Sequence, residues 1–511
     1  LLEAGPDDHR FNIKFPGGLV GLIQNPKLNW MFWTEPQPQL ANRKMYCPRG
    51  KTLGGSSSIN AMCYVRGHAS DYDRWAALGC DGWSFDEVLP YFKQSEHFEP
   101  QGLAPEIERL HGREGLLNVS DRVHADNPLS SAFLAAAVEA GYAVNPDLSR
   151  SAPESVGRYR VFQKDGQRHS NAAAYLHPIR QRPNLTVLTG TQATRVLFDG
   201  TRASGVAYQL QGREQQAVAR REVVLSAGAI QSPQLLLLSG VGPRQELARH
   251  GIAVTHELPG VGENLQDHLD IFVSWRARSR VGFSLRPSCW WRTLKGLLLY
   301  VFKRRGEMTS NLAEVGGFIK SADSEAIPDI QWHFLPSLNT NHAFELSRIF
   351  KSYGYSVMNY FLRPYSRGRV TLASADPLAA PRIDFNYGSD LRDLKALVAG
   401  IRKTRAVLEQ PALAAHRLDE VEPGAEMQSD EQLLDWVRHH AETAYHPVGT
   451  CKMGSDAAAV VDARLRVHGL TGLRVVDASI MPTLVGGNTN AAATMIGEKG
   501  AAMMLEDARL A

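Results

Sequence analysis

Val223-Val224-Leu225-Ser226-Ala227-Gly228-Ala229-Ile230-Gln231-Ser232-Pro233, running on through leucines to Leu238, is the stretch that decides the fold. Three apolar residues read as a buried strand, the small residues after them as a turn, and the leucine run as a helix. That order predicts an α/β crossover. Its free amides and helix dipole favour a diphosphate, and Gly228 is a candidate cofactor contact. A plain βα connection is the bland alternative. Ser239-Gly240-Val241-Gly242-Pro243 and Pro259-Gly260-Val261-Gly262-Glu263-Asn264-Leu265-Gln266-Asp267-His268 continue the chain as glycine-rich loops under steric pressure.

Working back to the start, Leu1-Leu2-Glu3-Ala4-Gly5 reads as the end of a buried strand closed by an acid. In dinucleotide folds such a carboxylate accepts hydrogen bonds from the adenosine ribose, which makes Glu3 a candidate cofactor residue. The G-x-G-x-x-G turn expected about 20 residues earlier does not occur in the sequence. The chain is therefore expected to begin inside a domain and to hold its cofactor weakly until the upstream residues are restored. Arg49-Gly50-Lys51-Thr52-Leu53-Gly54-Gly55-Ser56-Ser57-Ser58-Ile59-Asn60 forms a glycine- and serine-rich loop entering Ala61–Val65. Gly54 and Gly55 remove side chains that would collide with a flat ring, and the hydroxyls and Asn60 suit polar ring edges.

Residues 185–190 read as a strand and 195–209 as a hairpin around Asp199-Gly200. From 271 to 439 the texture shifts to aromatics, alternating strands such as Arg369–Leu372 and an amphipathic helix over 391–408, expected to form a substrate lobe. Within it Glu314 is an acid in an apolar strand, suited either to a cationic headgroup, with an aromatic such as Tyr445, or to a structural ion pair. Residues 290–305, Trp-Trp-Arg-Thr-Leu-Lys-Gly-Leu-Leu-Leu-Tyr-Val-Phe-Lys-Arg-Arg, are expected to pack on their own lobe with a solvated basic face. The alternative is that they lie in a membrane surface and meet a quinone.

Composition bounds the rest. The 511 residues exceed a single compact core, so two lobes are expected. With 56 basic against 53 acidic groups the net charge is +3, too balanced for a surface built to neutralise nucleic acid. Cys47, Cys63, Cys80, Cys289 and Cys451 show no C-x-x-C pair and no zinc-like spacing, which fits a reducing cytoplasm and no metal. No apolar window is long enough for a membrane span.

The chemistry concentrates near the C-terminus. Tyr445-His446-Pro447-Val448-Gly449-Thr450-Cys451 holds a histidine in a constrained turn, because Pro447 and Gly449 exclude a helix. Leu473–Val476 reads as a buried strand running into Asp477, Ala478 and Ser479. Gly486-Gly487-Asn488-Thr489-Asn490 then precedes an alanine-rich helix, with Asn488 or Thr489 as N-cap. The helix N-terminus would stabilise negative charge developing on a bound cofactor ring. A neutral imidazole at His446 takes a hydroxyl proton, and the amide of Asn490 orients the same oxygen.

The loop at 49–60, the Gly228–Pro243 stretch and the His446–Asn490 region, in this order, resemble the signature segments of the glucose-methanol-choline (GMC) oxidoreductases. Pro48–Gly55 and His446–Cys451 look most like the bacterial alcohol dehydrogenase and choline dehydrogenase branch. The resemblance implies an α/β fold, α+β overall: a discontinuous Rossmann-like FAD-binding domain (1–120, 165–270, 440–511) with an interleaved substrate domain (121–164, 271–439) on an antiparallel sheet flanked by helices. It implies His446 as catalytic base, Asn490 as its partner, and flavin contacts at Thr52, Asn60, Ala61, Met62, Cys63 and Ala193, beside Gly228, Asp477, Ala478 and Thr489. Relatives that tether FAD use a histidine where this chain has Ile59, so the cofactor is expected without a covalent bond. The reaction implied is oxidation of a primary alcohol to the aldehyde, hydride passing to flavin N5 and electrons to a quinone-type acceptor. Choline oxidation is the second reading; a nicotinamide-dependent dehydrogenase, a non-redox FAD lyase and an inactive fragment are the rivals. A cytoplasmic enzyme is expected, with contact to the inner membrane as the variant.

Overall fold

The computed structural model describes residues 1–121, 127–150, 153–278, 280–284, 286–339 and 352–510. Val223–Leu225 is a strand, paired in parallel with Leu473–Val475, and Gly228–Leu238 is the helix that follows it. Parallel strands need both faces covered. Leu225, Leu236, Leu473 and Val475 accordingly share one apolar core with Ala491, Met495 and Ile496 of the C-terminal helix Asn490–Leu510. The first residues lie beside this unit, Leu2 bridging Leu188 in parallel. The strand expected over 185–190 is reduced to that one bridge. Gly190, at φ +63°, turns the chain there, and the ladder starts only at Thr191. Thr191–Asp199 and Arg202–Leu210 then form the hairpin expected around Gly200, extended by Arg213–Val218.

A second core surrounds an eight-stranded sheet. Its strands run in the spatial order Arg417–Glu422, Leu269–Ala277, Gly354–Phe361, Ile330–Leu335, Val315–Ile319, Ser155–Arg158, Ala143–Val144, with Glu442–Thr443 also on Leu269–Ala277. All neighbours are antiparallel except the last two in that order. Helices Pro128–Glu139 and Leu391–Leu408 pack on it. The latter buries Leu394, Leu397, Val398, Ile401 and Leu408, a stripe at helical spacing. Phe32, Leu40, Met45 and Cys47 join this second core rather than the first.

Residues 290–305 correct the sequence reading. Trp290–Lys303 is a helix whose apolar side is turned outward: Trp291 is 79% and Phe302 80% exposed, and Tyr300 is its only buried residue. The protein offers this helix only a narrow seat, described below, so its hydrophobic stripe exceeds what its own lobe covers. No helix among the described residues is long and apolar enough to cross a membrane. All five cysteines are buried and free.

Candidate active site

The site is created by a sheet register. Leu269 opposes Thr443 and Asp270 opposes Glu442; Gln266 bridges Val448 a few residues further on. This short antiparallel ladder carries His268 on one side and His446 on the other. Tyr445 adopts φ +69°, a left-handed conformation costly for a bulky residue, between the two ladder segments. Arg49 donates to the Tyr445 carbonyl at 2.9 Å, and Asp267 accepts from the His446 amide at 2.7 Å. The other Asp267 oxygen accepts from Tyr387 at 2.5 Å and from Thr443. Burial pushes this carboxyl up to about 6 against those donors.

His446 contacts a second imidazole and an amide. Its Nδ1 lies 3.0 Å from Nδ1 of His268, whose Nε2 is 3.2 Å from the Leu362 carbonyl. A carbonyl only accepts, so His268 carries its proton on Nε2 and offers a lone pair at Nδ1. His446 therefore donates from Nδ1 and holds its own lone pair at Nε2, where the Asn488 amide donates at 3.2 Å. The Asn488 oxygen accepts in turn from Gln331, also 3.2 Å away. Burial, with Arg49 acting in the same sense, holds His446 down at about 3, and burial drives His268 well below the ordinary histidine range. Both imidazoles are neutral at physiological pH.

A cavity of about 620 Å³ opens beside this pair. Of the residues singled out from the sequence, His446, Asn490, Tyr445, Glu3, Gly54, Gly55, Asn60, Ala61, Met62, Cys63, Gly228, Asp477, Ala478 and Thr489 line it. Gly54, at φ +83°, has no room for a Cβ, which would sit 2.5 Å from the Ser58 hydroxyl. The Asn490–Leu510 helix starts on the cavity wall, Thr489 accepting its first backbone bond from Ala493. Asn311 donates to the Ala61 carbonyl at 2.8 Å, while its own side-chain oxygen is buried without a partner at the wall. Glu3, its carboxyl pushed up to about 7 by burial, receives the Gly5 amide. One cavity thus joins an acid at the edge of the parallel unit, two helix N-termini and an orphaned acceptor to the imidazole pair. A long cofactor with a diphosphate and a flat polar ring fits this donor set.

Three residues named from the sequence lie elsewhere. Glu314 is fully buried behind the wall, accepting from Ser130 and Ser310 at 2.8 Å and from the Asn127 amide at 3.1 Å. It is a structural carboxylate, and the wall position beside it belongs to Ala313. Thr52 is buried, its hydroxyl donating to the Pro6 carbonyl at 2.8 Å. Ala193 sits in the Thr191–Asp199 strand opposite Tyr208. Asp477 lines the cavity, yet its oxygens are taken by Gly228 and Ser479 amides and the Ser232 hydroxyl, so it positions the helix. His268, Arg49 and Asp267 were not singled out by sequence, and Asn488 was read only as a candidate N-cap. Asn490 lines the cavity, but the amide within hydrogen-bond distance of His446 is that of Asn488.

Residues 16–270 match the N-terminal family model of the GMC oxidoreductases and residues 364–497 the C-terminal one. The chain belongs to this family. Among GMC and related proteins, it is 47% identical to the alcohol dehydrogenase [acceptor] of Pseudomonas putida, covering 100% of this chain and 92% of that protein. It is 45% identical to the oxygen-dependent choline dehydrogenase 1 of Chromohalobacter salexigens, over 98% of this chain and 89% of that one. The solved FAD-dependent oxidoreductase of Chaetomium thermophilum superposes with a TM-score of 0.87 at 28% identity, covering 100% of this chain and 95% of that one. The GMC chain described here is an oxidoreductase with the expected α/β fold, and FAD is its cofactor.

Proposed function

We propose that this GMC enzyme oxidises a primary alcohol to the aldehyde with His446 as base, FAD being held without a covalent bond by the 1–120, 165–270 and 440–511 segments. The observation that carries the reading is the fixed tautomer of His446: its lone pair stands at Nε2, beside Asn488 on the cavity wall. An alcohol hydroxyl entering there replaces the Asn488 donor and gives its proton to Nε2. Asn490 supplies a second hydrogen bond to the same oxygen, and His268 holds the imidazole in register throughout. FAD, when bound, supplies the acceptor for the hydride from the alcohol carbon. Arg49 and the N-terminus of the Asn490–Leu510 helix set a positive potential at that end of the cavity. Electrons leave to a quinone-type acceptor.

A neutral alcohol is favoured over choline. Among the described residues the acids on the cavity wall are Glu3 and Asp477, Asp477 is already committed, and Glu314 is out of reach. Ile59 lines the cavity and packs with Ile13, Leu22 and Leu28, which supports a non-covalent cofactor. The test is His446→Ala, assayed by dye reduction over a panel of alcohols and by anaerobic flavin bleaching. Turnover falls by about two orders of magnitude or more with flavin content retained. Unchanged turnover would remove the assigned base, and failure of any alcohol to bleach the flavin would favour a non-redox reaction.

A further inference from the structure

Among the described residues the helix Trp290–Lys303 carries the densest group of exposed apolar side chains. Trp290, Leu294, Leu297 and Val301 recur at separations of three, four, seven and eleven residues, and Trp291, Leu298 and Phe302 flank them. At helical periodicity these positions make one continuous stripe. An amphipathic helix ordinarily buries such a stripe; here every one of these side chains is exposed. The buried side of the helix is narrow. Gly296 faces the Met308 side chain, and Tyr300 packs on Phe15 at 4.7 Å between ring centroids and on Phe11 at 6.2 Å.

Charge identifies what covers the stripe. Between residues 290 and 305 there are five cations, Arg292, Lys295, Lys303, Arg304 and Arg305, and no acid. Glu307 neutralises Arg292 in a bidentate pair, and Arg304 lies over the Tyr300 ring, but Lys295 and Lys303 stand exposed beside the apolar side chains. Two tryptophans and a phenylalanine projecting between lysines are the chemistry of a helix lying in a lipid headgroup region. A second copy of this chain would bring the same cations face to face.

We infer that Trp290–Lys303 docks the enzyme peripherally on an anionic lipid bilayer. The helix seat, residues 11–18, leads directly into the Leu19–Ile23 helix, and Leu19 and Ile23 line the active-site cavity. The docked face therefore backs onto the wall of that cavity. This arrangement delivers substrates and acceptors that partition into lipid, a consequence that rests on the function proposed above; the docking itself does not.

The test is flotation of the FAD-loaded full chain with vesicles of phosphatidylcholine alone and of phosphatidylcholine mixed equally with phosphatidylglycerol. The enzyme floats with the mixed vesicles and less with the neutral ones, and added salt weakens the association. Trp291→Gln combined with Phe302→Gln lowers vesicle affinity about tenfold or more. Lys295→Glu with Lys303→Glu abolishes the preference for anionic lipid. Both variants keep their flavin content and their dye-linked turnover of a short soluble alcohol. Absence of flotation, or equal flotation of wild type and variants, overturns the inference. So does a dimer in sedimentation velocity that the aromatic variant dissociates, which would assign the face to a second copy. Loss of turnover in wild type counts against the proposed catalysis and leaves the docking result standing.

Discussion

Removing the acceptor that fixes the His446 tautomer is the sharpest perturbation the site allows. In His268→Ala the Nδ1–H of His446 loses its partner at 3.0 Å, in surroundings that burial keeps dry. A buried neutral hydrogen bond contributes about 1–1.5 kcal/mol net, and that difference now favours the productive tautomer no longer. The competing form, with its proton on Nε2, presents a donor where the substrate needs an acceptor. At about 1.4 kcal/mol per factor of ten, the ratio of productive to competing tautomer falls roughly tenfold and the competent fraction by about two-fold up to that limit, short of the loss in His446→Ala. His268→Asn separates positioning from simple packing. The Asn oxygen sits one bond from Cγ, as Nδ1 does in histidine, and can accept the same proton; the Leu362 contact is lost in both variants. The assay is stopped-flow flavin reduction by a saturating primary alcohol, with flavin content and melting temperature measured on the same samples. The expected order of rates is wild type, then His268→Asn close to it, then His268→Ala lowest, down by about two-fold to at most about tenfold. Equal rates in wild type and His268→Ala would refute the tautomer argument. Equal losses in the two variants would show that His268 acts by packing alone.

Four further outcomes follow from the geometry. Gly54→Ala forces a Cβ within 2.5 Å of the Ser58 hydroxyl at a left-handed φ, a strain of about 1–2 kcal/mol before any clash; the flavin-to-protein absorbance ratio of the purified variant should fall well below that of wild type. Burial holds His333 down at about 3, so below an unfolded-state pKa of about 6.5 the unfolded chain binds a proton that the folded chain refuses. Its contribution to stability is thus intact above that pH and lost as pH falls toward 3, by about 1.4 kcal/mol per pH unit, and His333→Gln should narrow the denaturant-stability gap between neutral and mildly acid buffer correspondingly. Glu314→Gln should lower the melting temperature while leaving the kcat/KM ratio of choline to a neutral alcohol unchanged; a selective loss of choline turnover would return Glu314 to the substrate site. Acid precipitation of the holoenzyme should release all flavin into the supernatant, and flavin retained in the pellet would contradict the role given to Ile59.

Local sequence announced the parts of the site that local physics builds. Pro447 and Gly449 exclude a helix around His446, and the alanine-rich run after Thr489 requires one, so both ends of the constellation were visible as a constrained turn and a helix N-terminus. The strand, turn and helix of Val223–Leu238 were legible for the same reason. His268 was not, because its role comes from opposing residues 266–270 to residues 442–448, a register between segments far apart in the chain that neither segment encodes by itself. Asn488 and Asn490 differ in sequence only by where the helix begins. Glu314 misled because an acid in an apolar strand announces a buried carboxylate but not its partners, here Ser130 and Asn127 from the start of a distant helix. Trp290–Lys303 shows the same limit from the opposite side. Periodicity states which side of a helix is apolar, yet whether that side meets protein or lipid depends on the width of its seat, and a seat made of Gly296, Tyr300, Phe15 and Met308 is too narrow for seven large side chains.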